Sequence, residues 1–550
     1  MVRVAVIGAG SSGITAVKTC LEYGYEVVCY EKTHDMGGLW RYKPQECDGE
    51  ASVMKSTIIN TSKEMCAFSD YPPPREYANY MHNRQMLSYF RSYAEHFGVP
   101  QHIRYRTAVQ LIKRADDYET TGRWLVTVKD LGTGKTETET FDGVLLCSGH
   151  HVEPSEADFP GLRDGTFKGQ VLHSHSYKDD RGFEDKNVLV VGIGNSGADV
   201  TVELSRTARQ VYLVTRRGTW VWNRVFDNGL PMDMTLNSHY YDYLIRFAPR
   251  LTQALTEHKL LKRCDLETYG LMPAHHLFQQ HPTVSDDLPN RILSGSVIVK
   301  PNIERFTGPK RCRFEDGTEV DDIDAVVLCT GYKFGFPYLE PGLITVRSNH
   351  VDLFKYMYVP TLSHPESLAV IGLVQPVGAI FPLAEMQSRV FCDYLQRKRA
   401  LPSRDSMFDD MRLKVQQMKE LYVESNRHTI QVQYVPYINE LADLIDARPL
   451  SPLIYLLKGD PKLAWALAIG PCLSYEFRLR GPHPWKGARD AIVTVWDRVA
   501  GATKTRKAPG HICGSGRKHG IDCVVKEYKG IIFATLGAFI VLLMALFFAF

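Results

Sequence analysis

The chain is 550 residues long, 44% hydrophobic and 23% charged, with a formal net charge of +3. This is the composition of an ordinary globular protein with length for about two to four domains, and so small a charge, without a basic stripe, argues against a nucleic-acid partner. Its 12 cysteines, no two closer than Cys20 and Cys29, exclude a zinc ribbon and a thioredoxin-like centre, weaken the case for a flavin disulfide reductase, and read as reduced thiols facing the cytosol.

Met1-Val2-Arg3 runs straight into an apolar strand, Val4-Ala5-Val6-Ile7, with no signal-peptide pattern. Gly8-Ala9-Gly10-Ser11-Ser12-Gly13 follows at once. It is a GxGxxG turn opening a helix, where backbone N–H groups and the helix dipole hold a pyrophosphate. Glu31, 18 residues past Gly13, ends the strand-like run Glu26–Tyr30. A carboxylate there accepts hydrogen bonds from ribose hydroxyls and repels a 2′-phosphate. A small β excursion around Arg123–Lys129 and a closing strand, Gly143–Leu146 before Cys147-Ser148-Gly149, complete a first α/β unit over 1–152.

The pattern then repeats. Val188–Val191 leads into Gly192-Ile193-Gly194-Asn195-Ser196-Gly197, with Ala198 and Asp199 continuing into the helix. Eighteen residues past Gly197 stands Thr215, followed by Arg216 and Arg217, with no acid in that position. Guanidinium groups bind phosphate through paired hydrogen bonds. The first site therefore suits FAD or NAD and the second NADP, and the order along the chain makes FAD first and NADPH second. No metal is called for.

Ala325–Leu328 and Cys329-Thr330-Gly331 repeat the closing strand, which gives an NADPH domain over 153–331. Between about 218 and 292 the β/α pattern lapses into a stretch rich in aromatics and histidines, including Trp220, Trp222, His239, Tyr240 and Tyr241. It reads as a mostly helical insertion that shapes a substrate tunnel or rests on a membrane. After Gly331 the chain is expected to return to the first domain over 332–448, with a last strand at Leu368–Gly372 and helices beyond residue 380. A C-terminal region over 449–529 ends in a Gly-, Lys- and Arg-rich linker. Ile531–Phe550 is 20 residues without a charge. At about 1.5 Å per residue that suffices for a membrane span, and the basic residues before it put the folded part in the cytosol.

Between the two modules, Phe167-Lys168-Gly169-Gln170-Val171-Leu172-His173-Ser174-His175-Ser176-Tyr177 matches the FxGxxxHxxx(Y/F) signature of the flavin-containing monooxygenases. The chain resembles that family over essentially its whole length. Gly37-Gly38-Leu39-Trp40, Asn60–Met65, Phe68–Pro72, Thr215–Gly218 and Cys329–Tyr332 carry the same resemblance. The insertion and the anchor fit the animal microsomal members, and Gln280–Thr283 and Tyr422–Gln431 resemble the fifth mammalian isoform.

The resemblance implies an α/β fold of two Rossmann-like dinucleotide-binding domains. The NADPH domain is inserted in a split FAD domain, and a C-terminal transmembrane helix over 531–550 ties the enzyme to the endoplasmic reticulum, alone or as a homo-oligomer. It also implies a redox cycle. NADPH reduces FAD, O2 adds to give C4a-hydroperoxyflavin, and that adduct oxygenates the nitrogen or sulfur of a lipophilic amine or sulfide, such as a xenobiotic. Tyr177 stands where typical Baeyer–Villiger monooxygenases carry Trp, yet the fifth isoform is the one associated with that chemistry on ketones. Ketone oxygenation, an NADPH oxidase releasing H2O2 and a flavin-binding pseudoenzyme are the alternatives.

Asn60 resembles the family's active-site Asn, whose amide hydrogen-bonds both the flavin adduct and the nicotinamide. Asn60-Thr61-Ser62 is also an N-glycosylation sequon, which a cytosolic site leaves unused. By the same resemblance Thr61 and Gln375 contact the flavin, and Leu39 and Trp40 lie along it or pack in the core. Arg216 and Arg217 read the 2′-phosphate or stand as solvated surface charges. His173 is structural at the domain junction, and His281 tunes ketone chemistry or lies on the surface.

Overall fold

A computed structural model describes residues 1–506 except 48, 397–398 and 424–428. Two five-stranded parallel sheets organise it. Their strands are continuous apolar runs because helices and loops cover both faces, so neither face needs polar residues. The first sheet has Arg3–Ile7 at its centre, flanked by Glu26–Tyr30 and Gly143–Leu146. Ile103–Arg104 forms one edge and Leu368–Val370 the other. The strand at 368–370 thus joins the sheet begun at residue 3, although the whole second sheet intervenes in sequence. That second sheet centres on Asn187–Val191, between Gln210–Val214 and Ala325–Leu328, with Val297–Lys300 and Gln170–His173 at its edges.

The two modules repeat one another down to single hydrogen bonds. Gly8 N donates to Tyr30 O at 2.8 Å, and Gly192 N to Val214 O at 2.9 Å. Gly8 has φ 101° and Gly192 φ 107°, a left-handed region that favours glycine. A Cβ on Gly13 would collide with Gly8 O, and one on Gly197 with Gly192 O. These glycines let each helix start flush against its strand.

The β excursion is a three-stranded antiparallel sheet of Thr107–Arg114, Trp124–Asp130 and Thr136–Phe141. The helix Phe381–Leu395, almost wholly buried, packs against Ser11–Glu22 and carries buried charges, Glu385 and Arg389. The Phe167–Tyr177 signature is largely packing. Phe167 packs tilted against Phe306 with ring centroids 4.8 Å apart, Tyr177 is buried, and His173 Nδ1 accepts from His175 N at 3.1 Å.

The insertion is less helical than its composition suggests. Helices at Met232–Leu236, His239–Phe247, Pro249–Arg263 and Leu288–Leu293 are accompanied by a parallel two-stranded ladder of Val221–Trp222 with Thr283–Val284. Trp220 and Trp222 pack into the same core as the second sheet, and Tyr241 is buried. Its exposed apolar side chains are instead Val225, Tyr243, Phe247, Leu251, Leu255 and Met272. The last described helix of the C-terminal region is Val495–Gly501, and most of the expected basic linker lies outside the described residues. Among the described residues no helix is long and apolar enough to cross a membrane. The expected span, 531–550, lies outside them.

Candidate active site

Both glycine turns open on one cavity of about 990 Å³. That volume is at the top of the range of about 300–1,000 Å³ usual for small-ligand sites. Gly8, Gly10, Ser11 and Ser12 line one part and Gly194, Asn195, Ser196 and Asp199 another. Gly10 and Gly194 leave their turns open: a Cβ on Gly10 would meet only Gly38 Cα at 3.7 Å, and one on Gly194 nothing within 4 Å. A ligand can therefore approach both backbones, as a pyrophosphate at a helix N-terminus requires. Ala9, Gly13, Gly192, Gly197 and Ala198 shape the turns from behind and do not line the cavity.

Glu31 lies on the cavity wall with its carboxylate already fixed. Oε2 accepts from Ala9 N at 2.8 Å and Oε1 from Thr33 N at 2.9 Å. Each oxygen keeps a lone pair for a ribose hydroxyl. Arg216 and Arg217 are exposed and line the cavity, and neither forms an ion pair among the described residues. Thr215 is buried, and its Oγ1 accepts from Gly218 N at 3.0 Å, so its side chain secures the turn. Asn195 is also occupied structurally: its Oδ1 accepts from Val284 N at 2.8 Å. The geometry fits one dinucleotide without and one with a 2′-phosphate.

Leu39, Trp40, Asn60, Thr61 and Gln375 line the same cavity. Trp40 also packs edge-on against Phe381, with ring centroids 6.1 Å apart, so it serves core and cavity at once. His281 lines the cavity too, with Gln431 Nε2 3.3 Å from its Nδ1.

The segment after Asn60 is clamped from every side. Ser62 donates from N and Oγ to Asp233 at 2.7 and 2.9 Å. Lys63 Nζ donates to the carbonyls of Arg75 and Tyr77 at 2.6 and 3.0 Å. Glu64 receives the Arg498 guanidinium at 2.8–3.1 Å, and Ser69 donates to Glu385. Burial lifts the Asp233 carboxyl to about 6, against the hydrogen bonds of Ser62 and Tyr80. Burial likewise lifts Asp199 to about 7, opposed by Arg224 and helped by Glu203. Asn60 itself accepts from Arg224 at 2.6 Å. Arg224, Asp233, Glu385 and Arg498 carry no motif, and their roles arise only from where the fold brings them.

A family model described as flavin-binding monooxygenase-like matches residues 1–526. Flavin-containing monooxygenase 5 of Oryctolagus cuniculus is 47% identical over 508 residues, 92% of this chain and 93% of that protein. Its Homo sapiens counterpart is 46% identical with the same shares. Dimethylaniline monooxygenase (N-oxide-forming) 2 of Cavia porcellus is 42% identical, again over 92% and 93%. Among solved structures, S-allyl-L-cysteine S-oxygenase from Allium sativum aligns with TM-score 0.61 at 24% identity, over 80% of this chain and 88% of that one. Cyclohexanone monooxygenase from Rhodococcus sp. Phi1 aligns with TM-score 0.58 at 17% identity, over 81% and 97%. At such identities these two likenesses speak for a common fold.

Proposed function

The chain belongs to the flavin-binding monooxygenase-like family and is an FAD- and NADPH-dependent monooxygenase; on that premise we propose that it oxygenates nitrogen or sulfur in lipophilic small molecules. The carrying observation is that both glycine turns, Glu31, Arg216 and Asn60 line one cavity. Relatives that bear on the reading are named for N-oxide formation on dimethylaniline and for S-oxygenation.

In this reading Gly8–Gly13 and Glu31 seat FAD, with Leu39, Trp40, Thr61 and Gln375 along its flavin end. Gly192–Asp199 seats NADPH, and Arg216 and Arg217 take its 2′-phosphate. Once bound, the two cofactors supply the electrons and the oxygen-activating chemistry. The protein's own contribution is position and dryness. Asn60 presents neutral amide donors that favour developing negative charge without giving up a proton. The clamped segment behind it removes the reorganisation that a mobile loop would add.

The test supplies the FAD-loaded protein with NADPH, isotopically labelled O2 and a tertiary amine or a sulfide. One labelled oxygen in an N-oxide or sulfoxide is expected, and NADPH consumption with H2O2 alone would sink the reading. A second reading, oxygen insertion beside a ketone carbonyl, is favoured by His281 on the cavity wall. A labelled ester from a ketone would establish it.

Membrane association belongs to the same proposal, with the catalytic part on the cytosolic face of the endoplasmic reticulum and Ile531–Phe550 as a single anchor. Support comes from that uncharged segment and from exposed Phe247, Leu251, Leu255 and Leu457, on helices packed in one neighbourhood. Such patches mark membrane or partner sites. A chain ending at residue 506 should still float with anionic vesicles, and Phe247→Ser with Leu251→Ser should release it. No flotation of the shortened chain would remove this surface from the reading.

A further inference from the structure

Arg224 stands where the insertion meets the segment at Asn60. Its Nη2 donates to Asn60 Oδ1 at 2.6 Å. Guanidinium has no acceptor, so this contact alone decides the orientation of the carboxamide: Oδ1 is held by Arg224, and the Nδ2 donors are left for the cavity. Without that contact the two ends of the amide differ little in shape and could exchange by rotation about χ2.

Arg224 is held in its turn. Its backbone N donates to Asp286 Oδ1 at 3.1 Å, and its Nη1 lies 3.4 Å from Asp286 Oδ2. The pairing has a structural origin. In the parallel ladder Val221 faces Thr283 and Trp222 faces Val284, so the residue two beyond each strand comes opposite the other. The ladder is moored to the second glycine turn, where Val284 N donates to Asn195 Oδ1 at 2.8 Å and Thr283 Oγ1 donates to Ile193 O. Tyr80 closes the far side, with its hydroxyl donating to Arg224 O at 2.8 Å. A link thus runs from the second glycine turn by hydrogen bonds to Thr283 and Val284, along the backbone to Asp286, and by hydrogen bonds through Arg224 to Asn60.

We propose that Arg224 is the positioning residue that fixes the Asn60 carboxamide with its N–H groups toward the bound nicotinamide, and so ties occupancy of the NADPH site to the arrangement at the flavin. The proposal rests on the role given above to Asn60.

The experiment uses the full-length, FAD-loaded protein and two readouts: NADP+ affinity from perturbation of the flavin absorption band, and H2O2 released per NADPH oxidised. Losing a charged hydrogen bond in Arg224→Ala should weaken NADP+ binding about tenfold and raise H2O2 release. Arg224→Lys, which keeps a point charge without the planar fork, should lose less. In an Asn60→Ala background Arg224→Ala should add no further loss. An unchanged NADP+ affinity in Arg224→Ala, or an equal further loss in the Asn60→Ala background, would overturn the proposal while leaving Asn60 its role. Wild-type behaviour of Asn60→Ala itself would overturn that role and this proposal with it. If Arg224→Ala yields no FAD-loaded protein, Arg224→Lys alone and with Asn60→Ala carries the same readings.

Discussion

At the scale of single residues, charge and burial set the behaviour of the cavity. Arg216 and Arg217 lie on its wall without an acidic partner among the described residues, whereas Lys32 on the same wall already donates to the Gly49 carbonyl. Replacing both with Ala should raise KM for NADPH by about tenfold or more while barely touching NADH, since bidentate phosphate contacts are among the stronger hydrogen bonds. Equal losses for both nucleotides would return these arginines to the solvated surface. Asp199 makes a prediction about pH. Burial raises its pKa from 3.8 to about 7. A carboxyl raised on folding contributes stability that is complete below its unfolded pKa and is lost as pH rises through the folded one. The unfolding midpoint of the FAD-loaded protein should therefore fall as pH rises from about 4 to about 7 and level off above that. Asp199→Asn should flatten that slope, and an unchanged slope in the variant would dismiss Asp199 as its source.

At the scale of elements, the strand–turn–helix unit does the same work twice. Substituting Ala at Gly13 or Gly197 would push the helix away from the carbonyl of Gly8 or Gly192. Gly13→Ala should yield colourless protein, whereas Gly197→Ala should keep FAD and lose NADPH-driven reduction. Loss of flavin from both, or from neither, would contradict the assignment of the two turns. The glycine turns, Glu31 and the absence of an acid at Thr215 were legible in the sequence because each follows from a local pattern. The insertion was legible only in outline. Its aromatics suggested a substrate tunnel or a membrane face, but Trp220 and Trp222 pack into the core of the second sheet and Tyr241 is buried. The ladder that positions Arg224 is two residues per strand, too short for any periodicity to reveal.

Across the whole molecule, distant parts of the chain converge on one short segment. Ser62 is held from the insertion, Ser69 from the helix Phe381–Leu395 and Glu64 from the helix Val495–Gly501. Glu64 is fully buried, so removing its partner leaves an uncompensated charge in a poor solvent for it. Arg498→Ala should cost about 3–5 kcal/mol of stability and lower product formation through the loosened segment, read by denaturant midpoint and turnover together. A stable variant with normal turnover would show that residues 495–501 are dispensable to the site.

The sequence by itself determined what local chemistry can encode: two nucleotide turns, which of them carries a ribose-binding acid, and a family signature between them. Those depend on residues a few positions apart, whose geometry is set by the backbone of one turn. Tertiary structure alone decided that both turns share one cavity and that Arg224 holds Asn60. These are contacts between residues up to hundreds of positions apart. No local propensity specifies them, because they exist only once burial has brought the elements together.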